Sequence, residues 1–157
     1  MNAELRAYQA ADRERCLEIM RGNTPKFFAP HEEAEFAEFL TSPGAYFSLW
    51  LEGRVIGCGG YWLNEDGTAH LTWGMVDAAL HRRGYGQMLL LERLRRIALE
   101  VPGTAVILDT TQHSAPFFAR YGFQTVRVTA DFYALGAHRH DLRLEPDLLQ
   151  RALEGTQ

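Results

Sequence analysis

Apolar residues arrive along this chain in two rhythms, short β-rich runs and helical stripes, with glycine and proline punctuating the changes between them. Glu4 to Gln9 predicts a first strand. Asp12 stands as the N-cap of a helix running to about Met20, which Gly22-Asn23-Thr24-Pro25 stops. After Pro30 a second helix is expected, with Glu32, Glu33 and Glu35 near its positive end, Phe36, Phe39 and Leu40 as its apolar stripe, and Ser42-Pro43-Gly44 as its terminator. Ala45 to Leu51 and Arg54 to Leu63 read as a hairpin turning at Glu52-Gly53, and Asn64-Glu65-Asp66-Gly67 leads into a strand over Thr68 to Val76. From Gly86 to about Glu100, Leu90, Leu91, Leu94, Ile97 and Ala98 gather on one side of a long helix, with Arg93, Arg95 and Arg96 expected largely elsewhere. Val101-Pro102-Gly103 breaks that helix. Ala105 to Thr110 predicts a buried strand, Ser114 to Arg120 a short helix capped by Gly122, and Phe123 to Val128 and His140 to Leu144 the closing strands. Hairpins mixed with strand–helix units predict an α/β (α+β) chain with a mixed sheet rather than a purely parallel one.

Composition narrows the class. A length of 157 residues with 46% apolar content fits one domain, 1–157, with a substantial core. A net charge of −4 argues against a general nucleic-acid binder, so any basic patch is local chemistry. No apolar run is long enough to span a bilayer, and the first residues lack the apolar core of a secretion signal, so no membrane partner and a cytoplasmic location are expected. Cys16 and Cys58 have neither metal-ligand spacing nor a disulfide-dense context and read as buried thiols. The six histidines are scattered apart from His138-Arg139-His140, and no metal is expected.

The chemistry concentrates in His81-Arg82-Arg83-Gly84-Tyr85-Gly86, between the apolar strand and the long helix. Two glycines, two arginines and a helix behind them offer backbone N–H groups, a positive dipole end and cationic side chains to an anion, above all a pyrophosphate. A dinucleotide fingerprint would need a glycine at position 89 and a P-loop would need Gly-Lys-Ser/Thr; Leu89 and Gln87-Met88 exclude both.

This turn resembles the acetyl-coenzyme A motif of the GNAT superfamily of N-acetyltransferases, Gln/Arg-x-x-Gly-x-Gly/Ala, with Val76 five residues ahead of it as those proteins commonly have. A second match is Phe117-Phe118-Ala119-Arg120-Tyr121-Gly122-Phe123, similar to the family's Phe-Tyr-x-x-x-Gly-Phe. The resemblance covers about Leu5 to Leu144. It implies a GNAT fold with a central twisted, mostly antiparallel sheet of six to seven strands flanked by about four helices, and transfer of an acetyl group from acetyl-coenzyme A to a primary amine of a small molecule or peptide. It implies that Gly74, Met75 and Val76, where the fourth strand splays from the fifth, present backbone groups to the cofactor, together with Arg82, Arg83, Gly84, Tyr85, Gly86, Gln87 and Phe118. The N–H of Met75 or Val76 is expected to polarise the thioester carbonyl.

His70 is the candidate general base. It lies six residues before Val76, even spacing that predicts a shared strand face, at an offset where relatives carry a catalytic Glu or His. The common general-acid Tyr aligns with Phe118, which has no hydroxyl; Tyr121 one turn later is the candidate substitute, it also reads as a packing residue before Gly122-Phe123, and a thiolate of pKa around 8.5 can leave without a protein acid. His81 replaces the usual Gln or Arg. The acceptor pocket is less legible: Phe27 and Phe28 on a proline-bounded loop form one candidate wall, Asp131 to Gly136 with Tyr133 the other, and either set also reads as ordinary packing. A coenzyme A-binding sensor with little turnover, and a transferase using another acyl-coenzyme A, stand as alternatives. A homodimer is admitted by the resemblance.

Overall fold

The computed structural model describes residues 2–155, which form five α-helices and seven strands. In chain order these are β1 (Glu4–Ala7), α1 (Arg13–Gly22), α2 (Glu32–Phe39), β2 (Ala45–Leu51), β3 (Arg54–Leu63), β4 (Ala69–Val76), α3 (Tyr85–Glu100), β5 (Val106–Thr110), α4 (Ala115–Ala119), β6 (Gln124–Ala134), β7 (Ala137–Leu144) and α5 (Pro146–Glu154). The seven strands make one mixed sheet in the order β1-β2-β3-β4-β5-β7-β6. The β4–β5 pairing is parallel; β1–β2, β2–β3, β5–β7 and β6–β7 are antiparallel.

Two compact units divide the chain. One runs through Trp62 and takes up Thr72–Arg93, while the other comprises Leu63–Leu71 and the chain from Leu94 onward. In the first, the β2–β3 hairpin turns through Glu52 and Gly53, both at positive φ of 51° and 78°, the backbone a two-residue primed turn demands. Three glycines in β3 answer to close packing: a Cβ on Gly60 would lie 2.1 Å from the Ala45 carbonyl oxygen, and one on Gly57 2.8 Å from that of Met75. Below the hairpin, Cys16, Met20, Phe36, Tyr46, Cys58 and Met75 build a core joined by Phe39 and Trp73, and Leu49, Ile56, Val76 and Leu89 build a second cluster. Arg93, expected on the solvent side of α3, is instead 3% exposed, because Gly59 and Gly74 leave room for its guanidinium, which donates to the Gly60 and Leu89 carbonyls.

In the second unit, Val106, Leu108, Leu142, Leu144 and Leu149 are among the buried residues. Here β6 extends to Ala134, well past the expected Val128, because of a large bulge. Thr129 pairs with Arg139 and Ala134 with Ala137, so four residues, 130–133, stand opposite His138 alone. Asp131, at φ 52°, holds this excursion: its N–H donates to His138 Nδ1 at 3.0 Å and its carboxylate accepts the Gly136 N–H at 2.7 Å. The fifth helix, α5, was not expected from the sequence, although Pro146 at its start and Leu148, Leu149 and Leu153 behind it carry its signature.

Candidate functional site

The turn between β4 and α3 is tied at both ends. Asp77 accepts the Ala79 N–H at 3.0 Å and receives Arg15 Nη2 at 2.6 Å, fixing a 3-10 turn over Ala78–Leu80. Burial by itself would raise the Asp77 pKa, but the Ala79 N–H and the Arg15 guanidinium outweigh it and hold the carboxyl below its ordinary range. His81 Nε2 lies 2.9 Å from the Val76 carbonyl oxygen, which also accepts from buried Asn23 at 2.9 Å. Since a carbonyl only accepts, His81 carries its proton on Nε2. Its imidazole secures the end of β4.

Beyond His81 the backbone leaves the ordinary regions twice, at Arg82 (φ 65°) and Gly84 (φ 90°). Nothing lies within 4 Å of the position a Gly84 side chain would take. The glycine is required by conformation and by an open approach to the backbone, not by crowding from its own unit. The Met88 N–H donates to the Gly84 carbonyl at 3.0 Å, so the N–H groups of Tyr85, Gly86 and Gln87 precede the first helical bond of α3. Arg82, Arg83 and Gln87 are exposed, and Tyr85 and Met88 anchor the turn on the Leu49–Val76–Leu89 cluster. Such a surface suits a diphosphate.

The three β4 positions expected to face the cofactor differ in kind. Met75 and Val76 send their side chains into the two separate clusters, leaving only backbone to offer, and Gly74 is exposed with Arg93 Nη2 2.8 Å from where its Cβ would be. Thr72 Oγ1 is buried without a hydrogen-bond partner among the described residues. Trp73 adopts a left-handed φ of 37°, so the two-residue alternation invoked to put His70 and Val76 on one face does not run unbroken through β4.

Phe27 packs edge-on against His81 with ring centroids 5.5 Å apart, and Phe28 stacks on Trp73 at 6.2 Å. Phe118 sits between Phe117 and Phe123, at 5.1 and 5.6 Å, and Tyr121 lies 5.4 Å from Phe117 with no hydrogen bond from its hydroxyl among the described residues.

His70, in the second unit, has a neighbour that the sequence did not single out. Register pairs it with Ile107, and Asp109 two residues on brings Oδ1 to 3.2 Å from His70 Nε2. The Tyr133 hydroxyl donates to Asp109 Oδ2 at 2.6 Å, while Arg139 Nη2 lies 3.9 Å from Oδ1 and 2.9 Å from Asp141. Burial pushes the Asp109 pKa up, yet hydrogen bonds from His70 and Tyr133 and the charge of Arg139 outweigh it and keep the carboxyl below its usual range. Beside this cluster, Val126, Arg127, Thr129, Phe132, Arg139 and Asp141 line an open cleft of about 470 Å³. Among the described residues no three His, Cys, Asp or Glu side chains converge as metal ligands, and no helix is long and apolar enough to cross a membrane.

A mixed sheet whose fourth strand leads through a glycine-bearing turn into a helix is the fold of the acyltransferase class to which this protein belongs. The chain is a member of the acetyltransferase (GNAT) family, whose model matches residues 13–123. Enzymes of this family use acetyl-coenzyme A and act on amine acceptors. The crystal structure of a Desulfovibrio desulfuricans protein assigned to the GNAT acetyltransferases superposes with a TM-score of 0.73 at 23% identity, over 92% of this chain and 99% of that one. The ribosomal-protein-S18-alanine N-acetyltransferase of Escherichia coli gives 0.76 at 18% identity, over 92% and 94%. An aminoglycoside 6′-N-acetyltransferase complexed with coenzyme A gives 0.72 at 12% identity, over 91% and 97%. At these identities the fold is what is shared. No curated protein matches the chain in sequence.

Proposed function

We propose that this chain works as a single N-acetyltransferase domain over 1–157, moving the acetyl group of acetyl-coenzyme A onto a primary amine of a small molecule or peptide by direct attack on the thioester. The observation that carries this reading is the turn ahead of α3, with Gly84 at φ 90° in open space and the first N–H groups of the helix behind it, in a chain of the GNAT family. Backbone N–H groups of Arg83 to Gln87 take the pyrophosphate, with Arg82 and Arg83 adding charge. The Met75 or Val76 N–H polarises the thioester carbonyl.

An alkyl ammonium of pKa about 10.4 is less than ~0.1% neutral at pH 7, so a base must take its proton, and His70 is that base. The cleft of about 470 Å³ along β6 and β7 is of a size for a small acceptor or the end of a peptide. Phe27 and Phe28 contribute to the acceptor side through their hold on His81 and Trp73, and Tyr133 contributes through Asp109. The thiolate, of pKa around 8.5, leaves without a protein acid.

A coenzyme A-release assay tests this over kanamycin, spermidine, tyramine, alanine and an alanyl peptide, each with acetyl, propionyl and succinyl thioesters. At least one amine is turned over with the acetyl donor, His70→Gln lowers its kcat/KM about 100-fold, and Tyr121→Phe leaves it within about twofold. Tight coenzyme A binding with no amine acetylated would turn the reading into that of a sensor. An unchanged kcat/KM for His70→Gln would remove His70 from the chemistry.

A further inference from the structure

An imidazole acts as a base through one nitrogen only if the other keeps its proton and is held in place. In this chain the holding group is at hand within the second unit. His70 Nε2 lies 3.2 Å from Asp109 Oδ1, and the second oxygen of that carboxylate is engaged by the Tyr133 hydroxyl at 2.6 Å. An ionised carboxylate only accepts hydrogen bonds, so the nitrogen facing it is the one that carries hydrogen. Three strands converge to build this arrangement. β4 and β5 run parallel with His70 opposite Ile107, which puts Asp109 on the same face one step further along. β6 supplies Tyr133 through its four-residue excursion. Arg139, bonded to Asp141, adds positive charge 3.9 Å from Asp109. The side chains of His70 and Asp109 remain 31% and 27% exposed, within reach of an incoming molecule.

We propose that Asp109 is a positioning residue for acetyl transfer, fixing His70 as the Nε2–H tautomer so that Nδ1 takes the proton of the acceptor amine, and that Tyr133 in turn fixes Asp109. The inference rests on the reading of His70 as the base. The acceptor reacts as the neutral amine, its ammonium proton having passed through the same imidazole to solvent; as the nitrogen bonds to the thioester carbonyl carbon and the carbon–sulfur bond breaks, a second amine proton passes to Nδ1. The imidazolium then carries a proton on each nitrogen beside an anionic carboxylate, which stabilises it. It releases the Nδ1 proton to solvent water, the departing thiolate takes its proton from solvent, and the products are the amide and the free thiol. The Ala130–Tyr133 excursion thereby acquires a purpose: it carries a phenol from the outer strand β6 across β7 to Asp109.

Two measurements test the proposal. The first is proton-detected 15N NMR of the imidazoles in the unmodified protein, where a His70 proton bonded to Nε2 is expected, displaced downfield by its carboxylate acceptor, lost in His70→Gln and broadened or lost in Asp109→Ala. The second is steady-state kinetics of Asp109→Ala and Tyr133→Phe with acetyl-coenzyme A and whichever of spermidine, tyramine or kanamycin the enzyme turns over fastest. Asp109→Ala lowers kcat about 100-fold with KM for acetyl-coenzyme A within about twofold, and Tyr133→Phe lowers kcat about threefold. A wild-type spectrum with the His70 proton on Nδ1 overturns the proposal, as does an Asp109→Ala enzyme whose kcat is unchanged. If no amine is turned over, the reading of the activity fails while the spectrum still decides whether Asp109 sets the tautomer.

Discussion

The carbonyl oxygen of Val76 is the busiest acceptor at the site, taking one hydrogen bond from Asn23 and one from His81. Both donors were visible in the sequence, but neither bond was, because residues 23, 76 and 81 meet only after α1 and β4 have packed. His81, which the sequence shows only as a departure from the usual Gln or Arg, has a local structural role in this bond. Asp109 went unnoticed for the same kind of reason: an acidic residue near the end of a strand carries no spacing signal, and its meaning lies in a parallel pairing with residues 39 positions away. Asp77 gives a prediction at this scale. Its folded pKa is below the unfolded value, so its contribution to stability is full above the ordinary carboxylate range and fades as pH falls through the lower folded value. Asp77→Asn should therefore lower the urea midpoint near pH 7, and its gap from the parent protein should close as pH falls through and below the ordinary carboxylate range.

Elements were more legible than contacts. β2 and β3 fall where their β-rich runs and the Glu52-Gly53 turn put them, and the α3 and β5 boundaries differ by one residue. Two misreadings have physical causes. Arg93 follows no solvent stripe because the glycines opposite it vacate space for a guanidinium, and burial of that cation, which lowers its pKa to about 10, is offset by two carbonyl acceptors. β6 looked short because an excursion of four residues erases the alternation by which strands are recognised. Glycine substitutions separate two roles. Gly60→Ala drives a methyl to within 2.1 Å of backbone and should cost about 3 kcal/mol or more in chemical denaturation. Gly84→Val meets no neighbour, only an unfavourable φ of 90°, so the protein should stay folded by circular dichroism yet lose coenzyme A binding in calorimetry.

For the whole molecule, a net charge of −4 surrounds a cationic turn, so a phosphorylated donor approaches against the average field and with the local one. Raising sodium chloride from about 0.05 to 0.5 M should increase KM for acetyl-coenzyme A roughly threefold to tenfold while kcat changes little. An unmoved KM would mean that backbone N–H groups act alone. The excursion at 130–133 has one more effect at this scale. β6 is the outermost strand and carries Val126 and Val128 at 63% and 55% exposure, the sort of margin onto which another chain can add itself. The ladder is broken twice, at Val126 and again after Thr129, so its longest regular run before the excursion is Arg127–Thr129, and bulges of this kind blunt a sheet edge against further pairing. The feature that brings a phenol to Asp109 thus also shortens the stretch of sheet edge open to a second chain.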